Sequence, residues 1–146
     1  MKSKLIHDGQ QKTFVLVLDH GDEVIEVLTK FANEHKLRAS HFTAIGALSK
    51  VTFAFYDLQK KEYQPIEINE QVEVMSLIGN VALKEDGERM IHAHTVVGKR
   101  DGTAHGGHVL KAHVDPTLEV FLIESPCDLQ RQEDERSGLA LISIDD

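Results

Sequence analysis

Between Met90 and Val114 the sequence reads MIHAHTVVGKRDGTAHGGHVLKAHV, a stretch holding five of the chain's nine histidines and four of its ten glycines. His92 and His94 stand two apart in an apolar run. Residues i and i+2 of a β-strand project from one face, so the two imidazoles look the same way and form a chelating pair. Gly98, Lys99, Arg100, Asp101 and Gly102 supply turn chemistry, and an apolar rhythm resumes at Thr103. The pattern predicts a β-hairpin that folds His105 and His108 back beside the pair. Parity decides which of them joins. A hairpin centred on a residue such as Arg100 or Asp101 turns His108 to the side of His92 and His94 and His105 to the other. A centre between two residues, or a bulge at Gly106-Gly107, reverses that assignment. Three neutral imidazoles converging on a point suit a first-row divalent metal, Zn²⁺ foremost, with the remaining positions open to water or a small-molecule ligand. Two further residues, His105 and Glu73, are near enough in the motif order to stand behind the metal ligands.

The bulk numbers bound what else the chain does. Its 146 residues, 41% of them hydrophobic, have the length of a single domain, 1–146, with enough apolar material for a core without staples. Lys and Arg number 16 against 24 Asp and Glu, a formal charge of -8. That balance argues against direct DNA binding, since duplex affinity rests on cationic side chains neutralising phosphates. Cys127 is the only cysteine, which fits a reducing compartment and rules out a thiolate cluster. No stretch is apolar enough for a signal peptide or a bilayer span, so a cytoplasmic protein with no membrane partner is expected.

The elements that must position the histidines follow from periodicity. Residues 12–19 form a continuous apolar run, read as a central strand buried on both faces. Residues 22–36 carry Val24, Leu28, Phe31 and His35 at helical spacing behind Asp22, a plausible N-cap. His35, near the helix C-terminus, is read as complementing the dipole rather than binding metal. Residues 38–57 read as a long strand bent at Gly46, with His41 an ordinary structural histidine unless a strand end brings it to the site. Residues 63–68 contain Pro65 and read as an edge strand. Residues 71–83 are two strands or one bulged strand. Asp115-Pro116 reads as a turn before a strand at 117–123, residues 125–138 as a polar loop, and 139–144 as a closing strand. The result is an α+β chain: a largely antiparallel sheet of seven to eight strands with one main N-terminal helix packed on it.

These landmarks together resemble the plants-and-prokaryotes-conserved domain in its stand-alone prokaryotic form. The matching pieces are the Gly21-Asp22 helix start, the Ala44-Ile45-Gly46-Ala47-Leu48 turn, Glu73 with the Ser76-Leu77-Ile78-Gly79-Asn80 run, the His92-x-His94 pair, Gly106-Gly107-His108, and the closing Ser137-Gly138-Leu139. The resemblance implies an antiparallel sheet flanked by helix and assembled as a homotrimer, with His92, His94 and His108 as metal ligands. It also implies a DNA-binding label, because plant nuclear members pair the domain with an AT-hook; this chain has no Arg-Gly-Arg hook and no basic tail.

Other metal folds fit less well. A cupin places a glutamate a few residues after its His-x-His pair, where this chain has Val96, Val97, Gly98 and Lys99, and a zinc deaminase needs His-x-Glu with Pro-Cys-x-x-Cys. Two functions remain. One is a metal-binding trimeric module with a ligand-sensing, scaffolding or regulatory role. The alternative is a metal-dependent enzyme, for which Glu73 and His105 are the only candidate bases and no catalytic residue is assigned.

Overall fold

Residues 1–144 are described by the computed structural model. In chain order they form β1 (Lys2–Asp8), β2 (Lys12–Asp19), α1 (Val24–Glu34), β3 (Ala39–Asp57), β4 (Glu62–Ile68), β5 (Val72–Leu83), β6 (Arg89–Gly98), β7 (Ala104–Glu124), β8 (Gln130–Asp134) and β9 (Leu139–Ser143). The α+β class expected from the sequence holds, with nine strands among the described residues rather than seven or eight.

Four strands carry the architecture. β3 pairs with β5 and β7, β5 with β6, and β6 with β7, all antiparallel, so the four close into a circuit with no free edge between them. β2 lies outside β7 and β1 outside β2. Among the described residues β4 pairs only with the second half of β3, as its Pro65 suggested. The inner side is filled by Leu16, Leu18, Phe42, Phe53, Leu77, Leu118 and Leu122, on which α1 lays Val24, Leu28, Phe31 and Ala32.

β3 bends at Gly46 as expected. A Cβ there would lie 2.2 Å from the Thr117 carbonyl oxygen, and the backbone sits at φ +152°, so only glycine lets β3 press against β7 at the bend. The 71–83 segment is one strand with a bulge between Val74 and Ser76.

Several expectations need correcting. Asp115-Pro116 is no turn: it lies inside β7, where the ladder to β3 is interrupted between Val114 and Leu118 opposite the Gly46 bend. Proline is tolerated there because no ladder bond is asked of it. β2 is not buried on both faces: Phe14, Leu16 and Leu18 are buried, while Thr13, Val15 and Val17 are half-exposed. The helix cap is Glu23, not Asp22. One Glu23 carboxylate oxygen accepts from Glu26 N at 2.8 Å and the other from the buried Ala112 N at 2.8 Å, while Asp22 turns back to accept from Asp19 N. The polar 125–138 stretch contains β8, joined to β9 and by one parallel bridge, Leu83 to Gln130, to β5.

Candidate metal centre

The β6–β7 hairpin sets the site. His94 stands opposite His108, Val97 opposite His105 and Gly98 opposite Ala104, a register centred on Asp101. This is the even parity, so His108 shares the outward face of His92 and His94. Two glycines let β7 occupy that place: a Cβ on Gly106 would lie 2.5 Å from the Thr95 carbonyl oxygen, and one on Gly107 2.8 Å from that of Ala54. Bare backbone between β6 and β3 is what seats His108 beside the pair.

The three rings form a nearly equilateral triangle. Centroid separations are 5.1 Å (His92 to His94), 5.2 Å (His92 to His108) and 5.3 Å (His94 to His108). One ring nitrogen from each lies within 4.8 Å of the others, and His92 Nε2 is 3.2 Å from His94 Nε2. With metal–nitrogen bonds of about 2.05 Å, a 3.2 Å edge corresponds to a ligand–metal–ligand angle of about 103°, close to tetrahedral.

Burial and neighbouring charge favour the unprotonated, ligand form of His92 and His108. Burial, then the charge of Arg131, then His94 lower the pKa of His92. Burial, then His92 and His94, push His108 down to about 4. Unprotonated imidazole is the species that binds metal. His108 Nδ1 is buried without a hydrogen-bond partner among the described residues. A convergent set of three imidazoles, two of them held towards the unprotonated form and one with an unsatisfied nitrogen, fits a divalent metal.

Residues that sequence reasoning missed surround the triangle. Tyr63 from β4 stacks on His108 with centroids 4.7 Å apart and planes 22° apart, and Tyr56 meets Tyr63 edge-on at 4.7 Å. Tyr56 is fixed in turn by donating its hydroxyl to Ser137 O at 2.6 Å. Asn80 stands directly opposite His92, and its Oδ1 accepts from Arg131 Nη2 at 2.6 Å. Arg131 also donates through Nη1 to Ala140 O at 2.7 Å.

The other candidates lie apart. His105 faces the opposite way, with Nε2 3.5 Å from Thr103 Oγ1. Glu73 pairs with Gly98, four residues along β6 from His94, which is about 13 Å at strand rise. His41 shares a row with Asn80 and His92 but sits two strands from His92 and is exposed. His35 packs on Phe31 at 4.2 Å and Phe14 at 5.1 Å. Cys127 is exposed.

An outward-facing three-histidine cluster on a closed antiparallel circuit, backed by one helix, defines a β-rich domain with three side chains placed to bind a metal. The chain belongs to the family of the Plants and Prokaryotes Conserved domain, whose family model matches residues 6–126. It is 37% identical to a metal-containing protein from Archaeoglobus fulgidus, covering 91% of this chain and 94% of that one at a TM-score of 0.83. A plant- and prokaryote-conserved protein from Pyrococcus horikoshii is 28% identical over 99% of this chain and 96% of its own, with a TM-score of 0.85. A third structure, from Ralstonia eutropha JMP134 and described provisionally as DNA-binding, is 31% identical over 90% and 91% of the two chains, with a TM-score of 0.84. Among curated proteins none matches the chain.

Proposed function

We propose that this chain is a metal-binding module of its family, a cytoplasmic homotrimer in which each subunit holds one divalent ion, Zn²⁺ foremost, on His92, His94 and His108. Its role is to sense a small ligand at the metal, or to scaffold or regulate a partner, without contacting DNA directly. The observation that carries this reading is the convergence of three imidazole nitrogens within 4.8 Å. The metal in the Archaeoglobus relative supports it.

The trimer has its own support. Ile45, Met75, Ile78, Val96 and Phe121 are all exposed and lie on the outward faces of β3, β5, β6 and β7, the side that also carries the histidines. A contiguous apolar surface on a folded chain marks a place for another protein surface. Glu73 lies about 13 Å along the strand from His94 and His105 faces the other way, so neither residue offered as a base stands at the cluster, which favours a module over an enzyme.

Elemental analysis of purified protein tests the core of the proposal. About one divalent ion per chain is expected, and His92→Ala or His108→Ala lowers metal affinity at least about tenfold by removing one of three protein ligands. Unchanged metal content in both variants contradicts it.

A further inference from the structure

Arg131 is a buried charge with no ion pair among the described residues. It is 3% exposed, yet among the described residues its guanidinium donates only to two neutral oxygens, Ala140 O and Asn80 Oδ1. Its Nε is buried and unpartnered among the described residues. Glu85, Asp86 and Glu133 line a surface cavity with it, but none forms an ion pair with it. Its charge bears on Tyr63, whose phenol burial holds in the neutral form, and on His92, whose pKa it helps to lower. Buried cations are ordinarily paired with an anion.

The position of this charge gives it a use. Asn80, which holds the guanidinium at 2.6 Å, is the direct cross-strand partner of His92. Such partners have Cβ atoms about 5 Å apart, and the charge of Arg131 is felt at His92. Tyr63, next to Arg131 in charge, is stacked on His108. A divalent ion on three neutral imidazoles adds two positive charges next to one already unbalanced, and the cluster contains no acid. In a partly dehydrated site, like charges at that range repel strongly, and an anion is the species that relieves them.

We propose that the exogenous ligand of this centre is a small oxyanion, a carboxylate or a phosphate, drawn to the open side of the metal by the fixed charge of Arg131. The inference rests on the three-histidine metal reading and names the ligand class for that site. Arg131 acts here as a positioning residue: it sets the field and, through Asn80, braces the strand behind His92.

The test uses protein loaded with Co²⁺, whose visible spectrum reports a change of ligand, titrated with acetate, inorganic phosphate and neutral imidazole at constant ionic strength. Acetate or phosphate is expected to change the spectrum of the wild type, and the tighter of the two identifies the source. Arg131→Gln should keep its cobalt but bind the anion at least about tenfold more weakly, with imidazole affinity shifting less than about twofold; Arg131→Lys should recover most of the loss. Arg131→Met, similar in bulk and uncharged, repeats the measurement if the glutamine variant does not fold. An unchanged anion affinity in the uncharged variants overturns the proposal, as does an equal loss for imidazole and anion, which would mark a purely structural arginine. Cobalt binding with no anion response in the wild type overturns this inference alone, whereas failure to bind cobalt overturns the metal reading beneath it.

Discussion

His108 carries more of the site than its partners. Packed under Tyr63 and facing His92 and His94, it is held near pKa 4, and His92 is lowered as well, whereas an unfolded chain protonates its histidines near about 6.5. Between those values the unfolded chain binds more protons, so the fold loses stability as pH falls through the window and has it in full above. Metal-free protein should therefore melt at a lower temperature at pH 5.5 than at pH 7.5, and His108→Leu should shrink the difference. Equal pH dependence in wild type and variant contradicts this. The His92 and His94 pair is legible in the sequence because strand parity alone aligns them. His108 is legible only once the hairpin centre is known, since a half-residue shift would present His105 instead. Tyr63 and Arg131 leave no such signal. The tyrosine reaches the site through cross-strand stacking, and the arginine lies in a polar stretch without periodicity.

At the scale of the element, the helix is tied to the sheet through one carboxylate. Glu23 caps α1 and also satisfies the buried Ala112 N–H of β7. Glu23→Ala removes a cap, typically worth about 1 kcal/mol, and leaves a buried donor unpaired at about 1–3 kcal/mol. A loss of about 2–4 kcal/mol is expected from urea unfolding, with Glu23→Gln milder; a loss below about 1 kcal/mol contradicts the double role. Local propensity pointed to Asp22, an equally good capping residue, because sequence does not show that a cap one position later also meets a strand. The long bent β3 and the hairpin were legible from Gly46 and from Gly98 to Gly102. β1 and β8 were not: β1 is exposed along its whole length and β8 along most of its own, so neither carries the alternation that burial imposes.

For the whole molecule, the outward apolar face and the formal charge of -8 make separate predictions. Light scattering at micromolar concentration should give the mass of three chains, and Phe121→Asp, which puts a charge on that face, should dissociate them. A monomeric wild type contradicts the assembly. Non-specific duplex binding is mainly electrostatic, with Kd of roughly 10⁻⁴ to 10⁻⁶ M at physiological salt, and a trimer would multiply the unfavourable charge. Fluorescence anisotropy should show no binding to mixed or AT-rich duplex at micromolar protein and about 150 mM salt. Saturation at lower protein concentration, weakening steeply with salt, would mean that a local basic surface outweighs the net charge.

X-ray absorption at the metal edge of the purified protein tests whether His92, His94 and His108 hold the ion. Three nitrogens are expected at about 2.0–2.1 Å with the outer-shell scattering of imidazole rings, lost in His92→Ala. An inner shell of oxygen alone, or an imidazole signal that survives in that variant, would contradict it.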